Sequence, residues 1–369
     1  MKLAWKEIKY NKTKYILIES ILVLMIFMVI FLSGLANGLA RAVSLAIERA
    51  DADYYVLSED SQNMIPISNV AEELMTQVRK EVNGDVTGLN IQRSTLALKG
   101  TEEKMDITYF AIDPNGFLKP GITQGVPLKD SGTDADAGNN GVVLNDSFRD
   151  DGVAVGDILI DSASGIELTV TGFTSNEMYG HSPVGFITSS TYTTMSRELN
   201  PNYEVKYHTL AVRGTVYDPA QIKGYHVVDK KTIISNIPGY SAEQLTIQMI
   251  LWVLLVISAA ILGVFFYVIT IQKQKQFGVM KAIGMEMNQI AAMIAQQVFL
   301  LAAFGVIIGN LIAFGMASML PKSMPFYLEQ PSVILINVVF LVISLVTSLI
   351  STIKVAKVDP IIIIGGNEE

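Results

Sequence analysis

The sequence predicts a membrane protein with four transmembrane helices and one α+β extracellular domain inserted between helices 1 and 2. Three observations predict it. Four segments are apolar over a length that crosses about 30 Å of hydrocarbon at about 1.5 Å per residue. The lysine clusters in the short flanks all fall on one side of a chain that crosses four times. A polar, acidic stretch of about 200 residues, enough for a core of its own, separates the first apolar segment from the second.

Composition agrees. Of 369 residues, 50% are hydrophobic and 17% charged, and the mean hydropathy is positive, which is too apolar for an ordinary soluble protein. The absence of cysteine excludes disulfides, thiolate metal sites and cysteine nucleophiles, so an external domain has to be held by packing alone.

Residues 1–15 form a cytoplasmic segment carrying Lys2, Lys6, Lys9, Lys12 and Lys14. Transmembrane helix 1 occupies 16–41, with Glu19 as the only charge between Ile16 and Leu35. Ala40-Arg41-Ala42 imitates a signal-peptide cleavage site, but the apolar stretch exceeds the roughly 7–15 residues of a signal core and three further spans follow. The helix is therefore expected to be retained.

The extracellular domain, 42–243, contains 28 acidic and 15 basic residues, a net of -13, whereas the rest of the chain nets +5. That asymmetry argues against nucleic acid as a partner. Short strands are expected at "DYYVLS", "STLALKG", "MDITYFAI", "ILIDSASGIELTVTGF", "VGFITSS" and "HTLAVRG", each bounded by turn residues. A helix is expected at "NVAEELMTQVRKEV", where Val70, Leu74, Val78 and Val82 share one face. "DSGTDADAGNNG", 130–141, reads as a flexible surface loop.

Transmembrane helix 2 spans 244–271 without a charged residue. A cytoplasmic segment, 272–289, carries Lys273, Lys275 and Lys281. Helix 3 (290–320), an extracellular loop (321–331) and helix 4 (332–353) lead to a cytoplasmic tail (354–369) bearing Lys354 and Lys357. Both termini are thus expected in the cytoplasm of a bacterial cell whose membrane holds the chain. Gly34-x-x-x-Gly38, Ala259-x-x-x-Gly263 and Gly305-x-x-x-Gly309 have the spacing that lets helix backbones approach closely.

Catalytic motifs are missing: no P-loop, no HExxH, and His181, His208 and His226 are not at metal-cage spacing. No catalytic residue is expected. "EMYGHSPVG", 177–185, nonetheless places Met178, Tyr179 and His181 within four positions. The residue types leave two readings open, a metal-ligating group or a tight turn at Gly180 with Tyr179 packed on the domain.

"GVAVGDILI" (152–160), "FGVMKAIGM" (277–285) and the closing "KVAKVDPIIIIGG", together with the four-span layout, resemble the MacB/FtsX-like ABC transporter permeases over nearly the whole chain. "MKLAWKEIKY", "EMYGHS", "YSAEQ" (240–244), "FFYVITIQK" (265–273) and "MPFYL" (324–328) resemble the heme-efflux branch of that family in Gram-positive bacteria. The resemblance implies a homodimer, sealed along helices 1 and 2, with two copies of a separate cytoplasmic ABC ATPase subunit that binds the ATP. This chain would have no cofactor of its own, and heme would be its transported ligand, expelled by mechanotransmission among membrane lipids.

The resemblance implies an ATPase-coupling segment comprising Phe277, Gly278, Met280, Lys281, Ile283 and Gly284, with Val279 as a further apolar contact. Heme iron accepts His, Met, Tyr or carboxylate, and its propionates suit a cationic rim. The candidate binding residues are Tyr179, Tyr240, Glu243, Met178, His181, Met28, Met25, Met249 and Phe31, with Arg41 or Arg49 beside the propionates. Glu243 has a second reading, because Ser241-x-x-Gln244 matches a capping box. An exporter of antimicrobial peptides or lipids, and an FtsX-like signalling module, remain alternatives within the same fold.

Overall fold

A computed structural model describes residue 10 and residues 12–129, 140–217, 222–320 and 324–356. Most of the N-terminal lysine cluster, the 130–141 loop apart from its last two residues, and the closing "KVDPIIIIGG" lie outside the described residues. The chain divides into two units, one comprising Leu39–Gln244 and the other the flanking helical segments.

In chain order the elements are α1 (Lys12–Arg49), β1 (Tyr54–Ser58), β2 (Val70–Ala71), α2 (Leu74–Val78), β3 (Val82–Leu98), β4 (Lys104–Ile112), β5 (Gln124–Gly125), β6 (Gly141–Asn145), β7 (Ile158–Asp161), β8 (Glu167–Thr174), β9 (Met178–Tyr179) and β10 (Ser182–Thr188). There follow α3 (Ser189–Leu199), β11 (Lys206–Tyr207), β12 (Thr209–Val216), β13 (Tyr225–Asp229), α4 (Lys230–Ser235), α5 (Tyr240–Gln272), α6 (Gln274–Ala282), α7 (Met287–Met319) and α8 (Gln330–Ala356).

Four of these helices, α1, α5, α7 and α8, are long and apolar enough to cross a membrane, and the α+β domain sits between the first and the second. In the helical unit, Leu22, Ile26 and Ile30 of α1 meet Phe266 of α5, Ile294 of α7 and Phe340 of α8 in one buried cluster. Two of the three small-residue motifs mark close approaches within this unit, whereas a Cβ on Gly263 of the α5 motif would meet only Thr347 at an ordinary 3.7 Å. A Cβ on Gly305 would collide with Leu22, and one on Gly309 would lie 2.9 Å from Ile26, so the α7 motif serves packing against α1.

The α1 motif has a different neighbour. A Cβ on Gly34 would lie 2.5 Å from the Phe326 ring, and one on Gly38 would strike the Pro325 carbonyl. The Tyr327 amide donates to the Gly34 carbonyl at 2.9 Å. Gly34-x-x-x-Gly38 is therefore a bed for the segment between α7 and α8. Some polar side chains in the helical unit are paired, which lowers their cost in apolar surroundings: Lys273 reaches Tyr15 (2.8 Å) and Gln297 (2.9 Å), and Asn310 donates to Asn337 (2.9 Å), whereas both carboxylate oxygens of Glu19 are buried with no hydrogen-bond partner among the described residues.

The external domain is built on a mixed sheet of order β13-β1-β12-β3-β4-β10-β6-β8-β5, with β7 joined to β3 and β8 and β9 joined to β10. Most pairs are antiparallel, but β10 runs parallel to β4 and β6 parallel to β8. The long β3 pairs with β12 through its first half and with β4 through its second. It thereby joins two halves of the sheet: one apolar cluster, with Tyr55 and Phe110, draws on strands of both halves, and a second, with Tyr109, draws on β3, β4, β6, β7, β8 and β10.

The expected strands appear, but the expected 14-residue helix shrinks to α2. Val70 belongs to β2 and Val82 opens β3. Val70, Leu74, Val78 and Val82 are still all buried in one cluster with Val56 and Leu210. The apolar spacing thus reported a shared core while Asn83-Gly84 and the strand partner drew the flanks into extended backbone, a case of tertiary pairing overriding helical periodicity.

Candidate functional site

The Tyr179-Gly180-His181-Ser182 turn closes β9 onto β10, with Tyr179 opposite Ser182. Gly180 has φ 56° and His181 φ 63°, the pair of left-handed conformations of a type I′ hairpin. Glycine accepts this freely; histidine does so at a cost. The tip is docked on α1: the Gly180 amide donates to the Val43 carbonyl (2.9 Å) and the His181 amide to that of Ala42 (3.0 Å).

The base of the hairpin is tied to the same helix. Arg49 donates to the Ser175 carbonyl (2.5 Å) and lies 3.3 Å from a Glu177 carboxylate oxygen. Glu177 is 6% exposed, and burial pushes its carboxyl up to about 7 even though Arg49 pulls in the other direction. Neither Glu177 nor the Ala42 and Val43 carbonyls stood out in the sequence. Only the Arg-Glu complementarity was visible there, and nothing in it fixed the pairing.

The turn decides the fate of the three side chains. Tyr179 points into the domain core, 7% exposed, with its ring edge-on to Phe110 at 5.5 Å and 70°. Burial raises its phenol well above the usual range, which disfavours a tyrosinate. Met178, on the opposite face of the strand, is half-buried, and its Sδ accepts from Asn145 at 3.5 Å. His181 turns outward, and its Nε2 lies 2.9 Å from Glu243 Oε1.

Glu243 lies in the first turn of α5. The helix begins at Tyr240, directly after Gly239 at φ 88°, and the Glu243 amide donates to the Gly239 carbonyl at 3.0 Å. The expected capping box at Ser241-x-x-Gln244 does not form: Ser241 already lies inside the helix and its hydroxyl donates to the Ser235 carbonyl. Tyr240 is half-buried against the cluster that holds Tyr179, Val43 and Ile47. One oxygen of Glu243 thus faces His181, while Oε2 is buried and has no hydrogen-bond partner among the described residues. A carboxylate oxygen in that position costs free energy unless something else meets it.

His181 (side chain 45% exposed) and Glu243 (37%) therefore form an accessible nitrogen and oxygen pair, and Tyr240, half-buried, opens the same helix three residues before Glu243. Arg41 is half-buried on α1, one residue before the carbonyls that receive the hairpin. Arg49 is committed to Glu177 and Ser175. The other two histidines serve the fold: half-buried His208 accepts from the Ile91 amide on Nδ1 (3.0 Å), and His226 pairs with Asn63 (2.6 Å).

In the helical unit, Met25 is half-buried against the bundle core, and Phe31 lies 5.2 Å from Phe326. Met28 and Met249 face outward, 48% and 60% exposed. Of the expected coupling residues, Phe277 and Gly278 are buried and Met280 packs on the bundle. Phe277 is thus an internal anchor of α6 and no surface knob. Val279 and Ile283 are exposed, and Gly284 turns the chain at φ 97°.

Residues 20–223 match the model of the MacB-like periplasmic core domain, and residues 248–360 match that of the FtsX-like permease C-terminal domain. The two matches meet the external domain and the last three spanning helices in the order seen here. The chain belongs to the MacB/FtsX-like family of ABC transporter permeases. The permease is also 31% identical, over all of both chains, to a Staphylococcus haemolyticus protein named "Putative hemin transport system permease protein HrtB". Proteins of that name from two strains of Staphylococcus epidermidis are 30% and 29% identical over the same full span. Among solved structures, the permease resembles the periplasmic region of MacB from Actinobacillus actinomycetemcomitans, at 14% identity, covering 52% of this chain and 94% of that one with a TM-score of 0.35.

Proposed function

We propose that this ABC transporter permease exports heme from the membrane, working as a homodimer with two copies of a cytoplasmic ATPase subunit. ATP binding and hydrolysis in the partner move α6, and the spanning helices carry that motion outward to expel the ligand. The observation that carries the reading is the Glu243 carboxylate, with one oxygen on His181 and the other buried and unpartnered. Ferric heme iron takes such an oxygen donor, and a carboxylate holds it loosely enough for release. The end-to-end likeness to the staphylococcal hemin permeases supports the same substrate.

Tyr240 stands one turn from Glu243 as a second oxygen donor, and Arg41 supplies a cation for a propionate. Tyr179 contributes as the wall behind them, because its phenol is inside the core. On the cytoplasmic face, exposed Val279 and Ile283 with Lys281 form the contact for the ATPase, and Phe277 anchors that helix to the bundle.

Hemin titrated into the permease in lipid nanodiscs tests the reading. A Soret shift is expected that Glu243→Ala and Tyr240→Ala each weaken by tenfold or more. No shift, or a shift indifferent to both substitutions, would reject the site.

A further inference from the structure

The hairpin belongs mechanically to α1. Its tip donates two backbone hydrogen bonds to Ala42 and Val43, and its base is held by Glu177 on Arg49. Its polar link to α5 is of another kind: one side-chain pair, His181 with Glu243, half exposed to solvent. A single hydrogen bond at such a position changes an equilibrium by about a factor of ten, whereas the α1 attachments are several and partly buried.

His181 also occupies a position that favours glycine. Its φ of 63° is unfavourable for a side chain, and the gain that offsets it is the reach to Glu243. Glu243 in turn is the residue whose remaining oxygen lacks a partner. The exposed side-chain contact between hairpin and α5 therefore runs through the carboxylate proposed to meet the ligand.

We propose that His181–Glu243 is a ligand-opened latch between the outer part of α1 and the start of α5. A ligand that engages Glu243 competes with His181 for the carboxylate. The hairpin then stays with α1 while the first turn of α5 is released, so that occupancy of the site becomes freedom of the two helices to move apart. The identity of the ligand rests on the reading above; the latch contact does not.

Hydrogen exchange at the Tyr240 and Glu243 amides, which donate to the Ile237 and Gly239 carbonyls at the start of α5, measures it, with the permease in nanodiscs and hemin occupancy followed in parallel by the Soret band. In the wild type without hemin, both amides should be protected, and hemin should speed their exchange at least threefold. His181→Asn accepts a positive φ but has too short a side chain to reach Glu243, and Glu243→Ala removes the partner. Both should show the faster exchange without hemin and no further rise with it. A Soret shift without a change in exchange at the start of α5 overturns ligand opening and leaves the heme reading standing. Absence of a Soret shift overturns the heme reading, and the ligand-free comparison of variants with wild type then decides the latch alone: unchanged exchange in both variants refutes it.

Discussion

At the scale of single residues, two titratable groups in the α+β domain, buried Glu177 and half-buried His208, make opposing demands on pH. The Glu177 carboxyl is raised from 4.5 to about 7, so the folded state favours its proton, and the stability it confers is lost as pH rises through that window. The His208 imidazole is lowered from 6.5 to about 4 by burial and by Lys206, so its contribution is lost as pH falls through that one. Glu177→Gln should therefore remove the loss on the alkaline side and leave the acid-side loss, giving a melting temperature that rises between pH 5 and 7 where the wild type is flatter. A profile unchanged by the substitution would contradict the assignment. Tyr179 gives a second test. Tyr179→Ala should destabilise the domain by about 3–5 kcal/mol in denaturant unfolding, and Tyr179→Phe should retain hemin binding, which a Tyr179 iron ligand would not allow. The sequence placed Met178, Tyr179 and His181 together, but a period-2 strand sends neighbours to opposite faces, and which face is buried depends on strands distant in the chain.

At the scale of elements, the small-residue motifs of α1 and α7 have become specific contacts, and that of α5 has not. Gly38→Val puts a side chain against the Pro325 carbonyl, a rigid backbone atom, and should lower the thermal stability of the purified permease more than Gly305→Ala, whose collision is with the movable end of Leu22. Equal effects would argue against the bed for the α7–α8 segment. The spacing was legible in sequence; its partner was not, since close approach of a backbone says nothing about what approaches. The same limit applied to α6. Its apolar residues were legible, but only the helix phase assigns Phe277 inward and Ile283 outward. Ile283→Asp should consequently abolish coupling to the ATPase while the fold is kept, whereas Phe277→Asp should destabilise the bundle itself.

At the scale of the whole molecule, the four spanning helices and the interposed domain were legible because hydrocarbon imposes length and apolarity on each helix separately, without reference to neighbours. The α2 region was misjudged because its apolar positions answer to a shared core whose walls come from β1 and β12. The candidate site was half legible. Glu243, Tyr240 and His181 could be nominated by type, but the meeting of His181 with Glu243 depends on a left-handed turn and on helix α5 starting at Tyr240. The central claim, that a ligand meeting Glu243 drives an ATP-powered export cycle, is tested most directly by the ATPase rate of the permease assembled with its ATPase subunit, with and without hemin. Hemin should stimulate the wild-type complex severalfold and leave the Glu243→Ala complex at its basal rate. Equal stimulation of both complexes, or of neither, would contradict the account.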